Sequence, residues 1–363
     1  MSGRILYLAD AFVWSGATGA NDGSSQTDAW TALSSAAGVV AGTDVYIRGT
    51  QVLSASFSPS GTPSLASPIR WIGVNDSWVA QGTQCVIDCN SGAYSWVVGG
   101  TQDYSILKNI KIKDSTGVGF SVSNSAFHVH WFNCWADNCL IGWSGGRFQD
   151  LIYCRASNSG SVGFGNSSTV MNYAYCVADN NTSDGWDANG TRNCFQCISY
   201  DNGGVGFNIL DNTINMGLIA HGNTGTGIKS VSDVSIILNG RSTGNGGWGI
   251  ELTAAAQLNF INGFYVPDTG QDLANTSGAS SGTYEDGSDL GLDINDLAGT
   301  DTDGGYTDST TDDFNLATDA TLFSTAVLLL DGINKSYAAG GLDPNASGGA
   351  AGIFIPRPRT HNV

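Results

Sequence analysis

The chain has 363 residues, 50 of them glycine, and only 13% are charged. Its glycine share is about twice the usual roughly 7%, the mark of many tight turns. Aromatic residues at 10% and hydrophobic residues at 41% exclude a disordered polymer. With 32 acidic against 14 basic side chains, the formal charge is −18. That sign excludes electrostatic binding to nucleic acid or to anionic membranes, both of which need positive potential. The longest aliphatic run, Ala326 to Leu330, is far short of the roughly 20 residues that span a bilayer.

The first residues, MSGRILYLADAFVWSG, hold one Arg and a short apolar stretch interrupted by Asp10, which is not a secretory signal. The expectation is synthesis in a host cytoplasm without a signal peptide. From Gly16 to Ala37 a turn rich in Gly, Asn and Asp leads into a predicted short amphipathic helix. Trp30, Leu33 and Ala37 share one face of it, with Thr27 or Asp28 as its cap. Residues 1–45 are therefore read as an N-terminal cap that plugs an open end.

From about residue 104 the chain repeats itself. Gly followed by an aromatic or aliphatic residue recurs at Phe120, Trp143, Phe164, Trp186, Phe207, Ile228 and Ile250, at steps of 21 to 23 residues. A second column, Ile110, Cys134, Cys154, Cys176, Cys197 and Leu218, keeps the same beat. A third is Asn138, Asn158, Asn180, Asn202, Asn223 and Asn245. Such a period belongs to a solenoid whose rungs stack about 4.8 Å apart, so that equivalent residues touch. Stacked asparagines satisfy the amides of a bend, and stacked rings fill the interior. Alternation over residues 118–122 is expected to turn Val118, Phe120 and Val122 inward and to leave Gly119 and Ser121 outside.

This pattern resembles the pectate-lyase-like right-handed β-helix superfamily, in which asparagine and aromatic ladders line the bends. The resemblance implies an all-β, right-handed parallel β-helix over residues 46–265, with residues 45 to 100 forming looser rungs. β-helices of this kind are found in tailed-phage spikes and decoration proteins, which commonly form trimers.

After Asn262 the beat dissolves. Residues 266–315 are read as an acidic, loop-rich region, with twelve carboxylates between Asp268 and Asp313. Residues 316–363 are read as a C-terminal segment and extended tail, because Pro356 and Pro358 prevent a helix. Asp301-Thr302-Asp303-Gly304-Gly305 is compatible with calcium ligation by Asp301 and Asp303, although it lacks the distal Glu of an EF-hand. A solvated acidic loop is the plainer reading, and no other cofactor is expected.

The eight cysteines include one Cys-x-x-Cys, Cys194 and Cys197, without a second pair at zinc-finger spacing. Buried thiols acting as small hydrophobes are the favoured reading. Asp184 stands where Val118, Val162 and Val205 stand in other rungs. Either the rung bulges there, or a carboxylate near the core has a shifted pKa and marks a site. Asp179, Asp184, Asp187 and Asp201 form the best enzymatic cluster. The outward column Ser121, Ser144, Gly165, Asp187, Asn208, Lys229 and Glu251 is a poor catalyst. Asp187 and Glu251 lie three rungs apart, about 14 Å, beyond the roughly 5 to 9.5 Å of glycosidase carboxylate pairs. Lys229 and Glu251 are expected to form an ion pair. His128 and His130 lie at strand spacing without an evident third metal ligand, and Trp131, Trp135 and Trp143 are candidates for sugar stacking or for the core.

The superfamily's polygalacturonase motifs are missing: there is no Asn-Thr-Asp, and Gly227-Ile228-Lys229 has no Arg where that group has Arg-Ile-Lys. The first expectation is accordingly a non-enzymatic structural protein on a virion surface. It would be a homotrimer attached to other capsid or tail proteins and in contact with host-surface glycans. A depolymerase acting on acidic polysaccharide, by hydrolysis or by elimination, is the alternative. A sugar-binding adhesin is the third.

Overall fold

The computed structural model describes residues 10–80, 85–123, 125–146, 148–165, 171–187, 192–209, 213–230 and 235–252. It also describes the strands Phe260–Tyr265, Leu273–Asn275, Ser281–Tyr284, Tyr306–Asp308 and Asp313–Leu316. Asp301 and Asp303 lie outside these residues, as do most of the acidic region and the tail.

Short β-propensity runs broken by Gly, Asn and Asp give strands of three to five residues that pair in parallel, each with its counterpart one rung on. Three walls result. The first sheet stacks Asp10–Trp14, Asp44–Arg48, Arg70–Val74, Ile106–Lys108, Val129–Phe132, Gln149–Ile152, Met171–Ala174, Arg192–Phe195 and Thr213–Met216. The second includes Arg155–Ser157, Val177–Asp179, Ile198–Tyr200 and Ile219–His221. The third includes Phe207–Ile209, Ile228–Ser230 and Ile250–Leu252. The longest strands, Ile110–Val122 and Trp135–Gly145, bend from the second wall into the third. Parallel strands continue at Leu273–Asn275 and Ser281–Tyr284, while Tyr306–Asp308 and Asp313–Leu316 pair antiparallel. The chain is an all-β, right-handed parallel β-helix.

The core consists of vertical ladders. Rings of Phe120, Trp143, Phe164, Trp186 and Phe207 follow one another at 4.9, 5.0, 4.8 and 4.4 Å. Beside them Cys134, Cys154, Cys176 and Cys197 form a buried column, and all eight cysteines are free and buried.

Three expectations need correction. The asparagine column is two columns. Asn138, Asn158 and Asn180 stack with Asp201, Gly222 and Gly244 at a tight corner between the second and third walls. There the backbone is left-handed, with φ of 51°, 53°, 53°, 54°, 62° and 62°. Asn, Asp and Gly tolerate that conformation best. The buried ladder lies one residue later, at Asn181, Asn202, Asn223 and Asn245, whose side-chain amides donate in turn to the next Oδ1 at 2.7, 2.8 and 2.9 Å. Each of these oxygens also accepts the backbone N–H of the preceding rung.

Gly119, expected outside, is buried, and Val118, expected inside, is half-buried on the wall. A Cβ on Gly163 would lie 2.8 Å from both Asn181 Nδ2 and the Gly185 carbonyl oxygen, so the ladder fills the space a side chain would need. Finally, the expected N-terminal α-helix is a single 3₁₀ turn, Leu33–Ala36, without a side-chain cap. Asp28 instead holds the preceding loop, accepting from the Ala20 amide at 2.7 Å and the Ser25 hydroxyl at 2.8 Å.

Candidate functional site

The four candidate aspartates do not meet. Asp179 lies in the second wall, 1% exposed, clamped by Arg155 through Nε–Oδ1 and Nη2–Oδ2 contacts of 2.8 Å each. Asp201 is exposed at the left-handed corner. Asp184 and Asp187 are on the third wall. Because the column of Val118, Val162 and Val205 faces outward there, Asp184 is a wall residue and neither a bulge nor a core carboxylate. The register does slip, but between Cys139 and Ile141. Asp184 accepts the Val205 amide at 2.8 Å, and burial, aided by the charge of Asp187, raises its pKa. Lys229 pairs with Glu251 at 3.1 Å.

His128 and His130 also diverge. The His128 ring stacks between Tyr104 at 5.1 Å and Phe148 at 5.7 Å, whereas His130 Nδ1 meets Asp150 Oδ2 at 2.8 Å. Among the described residues no group of three or more His, Cys, Asp or Glu could hold a metal ion. Trp131 and Trp143 are in the core. Trp135 is on the second wall with its ring between Lys111, 3.6 Å from the centroid, and Arg155 at 5.2 Å. Its faces are covered by these cations, which leaves no platform for a sugar.

Sequence reasoning missed a constellation on the outer face of the first sheet. Alternation sends Ala11, Val13, Val45, Ile47, Trp71, Leu107, Val129, Trp131 and Leu151 into the core and sends two columns out. The apolar one reads Phe12, Tyr46, Ile72, Lys108, Phe132, Ile152, Ala174, Phe195 and Met216. The polar one reads Asp10, Asp44, Arg70, Ile106, His130, Asp150, Asn172, Asn193 and Ile214 in the same pairings. Upward from His130 the polar column is one hydrogen-bonded chain. Asn172 Nδ2 donates to Asp150 at 2.8 Å, Asn193 Nδ2 donates to Asn172 Oδ1 at 3.0 Å, and the Ile214 amide donates to Asn193 Oδ1 at 3.1 Å. The His130 contact holds the Asp150 carboxyl below the usual range.

The lower rungs carry the charge. Arg70 forks onto the buried Asp44. Burial and the carboxylates of Asp44 and Asp10 push the Tyr46 hydroxyl up to about 12. Phe12 stacks on Tyr46 at 5.5 Å, and Trp78, held with φ of 60°, packs edge-on against Phe12 and Trp14. Arg48, Arg70, Lys111, Lys113, Arg155 and Lys229 each form an ion pair. Lys108 forms none among the described residues: its Nζ lies 5.4 Å from the Phe132 centroid, and burial, reinforced by the Arg70 charge, lowers its pKa. Among the described residues the face therefore carries the half-buried rings of Phe12, Tyr46 and Phe132 in a row with the buried Ile72 and the half-buried Lys108, whose ammonium has no ion-pair partner there. Such a row can stack sugar rings and attract a carboxylate.

No protein family and no curated protein matches the chain. Solved structures do. A pectate lyase, Pel9A, superposes with a TM-score of 0.65 at 14% identity, covering 90% of this chain and 93% of its own. A rhamnogalacturonan lyase gives 0.57 at 13% identity, covering 76% and 84%. The A-module of the Azotobacter vinelandii mannuronan C-5 epimerase AlgE4 gives 0.52 at 13%, covering 67% and 72%. At these identities the likeness is one of fold, the right-handed parallel β-helix. Among the described residues no helix is long and apolar enough to cross a membrane.

Proposed function

We propose that the protein is a glycan-contacting structural β-helix of a virion surface, assembled as a homotrimer with capsid or tail proteins, and that its ligand is an acidic polysaccharide. The observation that carries this reading is Lys108, without an ion-pair partner among the described residues, in the outward row Phe12, Tyr46, Ile72, Phe132. In a chain of charge −18, an ammonium left without a carboxylate partner on an aromatic-lined face is placed to receive one from outside. Two of the fold neighbours are named as lyases of pectate and rhamnogalacturonan, and a third as an epimerase of mannuronan, which favours the same ligand class. A catalytic role for the acids is disfavoured, since Asp179 is neutralised by Arg155 and Asp201 stands apart from Asp184 and Asp187.

A second reading rests on the same residue. Elimination from a uronate needs a base to remove the proton next to the carboxylate, and a lysine with lowered pKa is suited to that task. Incubating the chain with polygalacturonate and polymannuronate separates the two. Retention of polymer without ultraviolet-absorbing unsaturated product, lost in Lys108→Met, is the expected result. Accumulating product that stops in Lys108→Met establishes the enzyme, and equal retention by wild type and variant removes the face from consideration.

A further inference from the structure

Arg48, Arg70 and Arg155 each meet a carboxylate, but in two ways. Arg155 sets Nε on one oxygen of Asp179 and Nη2 on the other, 2.8 Å each, and that acid is 1% exposed. Arg70 forks onto the buried Asp44 in the same manner. Arg48 turns the same Nε and Nη2 edge to a single oxygen of Asp76, 3.3 Å from each, and the Asp76 side chain is 93% exposed. A long contact to a side chain standing in water contributes little, so a two-pronged donor edge is left half filled and facing solvent.

The guanidinium itself is held in place. It lies 4.2 Å over the Trp14 ring and 5.5 Å from that of Trp78, and the Arg48 side chain is 18% exposed. Trp78 is presented by a closed turn after the strand Arg70–Val74. The Asn75 amide donates to the Val79 carbonyl at 3.0 Å, and the Trp78 amide donates to the Asn75 carbonyl at 2.9 Å. Asn75 Oδ1 accepts from the amides of Ser77 and Val79 at 2.9 Å each. A donor pair fixed by two rings before any ligand arrives loses little freedom on binding.

We propose that this edge of Arg48 is a second anion seat on the first wall, taking a carboxylate of the acidic polysaccharide in place of Asp76. The proposal rests on the glycan reading above and adds that the ligand is a run of linked uronates, not a single one. A planar carboxylate fills the fork with one oxygen per donor, as Asp179 does on Arg155. Tyr46 and Arg48 leave one strand on the outer face, and Lys108 stands two rungs above Tyr46. Two rungs at about 4.8 Å and two residues at about 3.3 Å put the Cα atoms of Arg48 and Lys108 about 12 Å apart. The charges lean away from each other, Lys108 toward Phe132 on the rung above and Arg48 toward Trp14 on the rung below. One sugar acid cannot meet both. A carboxylate seated at either cation brings the next ones along the polymer to the other at raised effective concentration.

Calorimetric titration of the full chain with galacturonate and a length series of its oligomers tests this. In wild type, affinity should rise by about tenfold or more at the length that spans both cations, and Arg48→Gln should lose that step. Arg48→Lys should recover only part of it, because an ammonium keeps the charge but not the fork. Asp76→Asn removes the internal competitor at an exposed position. It should bind the long oligomers about two- to fivefold tighter and gain nothing in the Arg48→Gln background. An Asp76→Asn affinity at or below wild type, or a step of unchanged size in Arg48→Gln, overturns the seat and leaves the role of Lys108 standing. Should Arg48→Gln fail to fold, Asp76→Asn alone decides. A wild type that binds no oligomer, or binds no better than Lys108→Met, overturns the glycan reading itself and the seat with it.

Discussion

At the scale of single residues, the left-handed corner and the asparagine ladder set the tolerances. Removing the Asn202 side chain strands the buried Asn181 backbone N–H, takes one of two acceptors from the Asn181 Nδ2, which keeps the Ala156 carbonyl, and deprives the Asn223 Oδ1 of its Nδ2 donor. At about 1–3 kcal/mol per stranded buried group, Asn202→Ala should cost at least about 2 kcal/mol in urea unfolding. Gly163→Ala should cost about 1–3 kcal/mol by overpacking against Asn181 and Gly185. Asp184 gives a pH signature. Its pKa in the fold is raised above the ordinary 3.8, so what the protonated form contributes is present below that value and lost as pH rises through the higher folded value. Asp184→Asn keeps an oxygen for the Val205 amide and should melt higher than wild type at neutral pH, the gap closing in acid. A gap independent of pH would show that burial of this charge is not the cause. The ladder was nearly legible in the sequence. Steps of 21 and 22 residues are both acceptable rung lengths, so counting alone cannot tell Asn180 to Asp201 from Asn180 to Asn202. The separating signal is the residue before each ladder asparagine: Asn180, Asp201, Gly222 and Gly244 are types that accept positive φ.

At the scale of elements, the second wall is held by charge where the core ladders are held by packing. Arg155 is half exposed, but its partner Asp179 is not, so Arg155→Met strands a buried carboxylate and should cost about 3 kcal/mol. Arg155→Met with Asp179→Leu should recover most of it, because an apolar pair can replace a buried ion pair nearly neutrally. A double-mutant cycle read by thermal melting checks this. The first wall shows why the rest of the site was not legible. From Asp10 through Asp44, Arg70, Ile106 and His130 to Asp150, the partners are 34, 26, 36, 24 and 20 residues apart. Long loops enter the early rungs, and a search for one period cannot place those residues in a column. Alternation within Asp44–Arg48 or Val129–Phe132 is visible, but which strands are neighbours is not.

At the scale of the whole molecule, each rung touches only the rung above and the rung below, apart from the turns that join them. Stability is then close to a sum of rung and interface contributions. A core truncation such as Trp186→Ala, expected to cost about 3–5 kcal/mol, should broaden the denaturant transition rather than only shift it. One sharp transition with the wild-type slope would show that the stack melts as a unit. The even spacing of Gly-aromatic pairs made the solenoid readable from sequence, since a constant lap length is the one global property a linear chain displays directly.

The sulfur column carries a practical corollary. Sulfhydryls at positions 85, 89, 134, 139, 154, 176, 194 and 197 are sealed inside successive laps, so an alkylating reagent finds none until a lap unwinds. Mass spectrometry of partly modified protein would then read, cysteine by cysteine, the order in which the coil comes apart, with no label engineered into it.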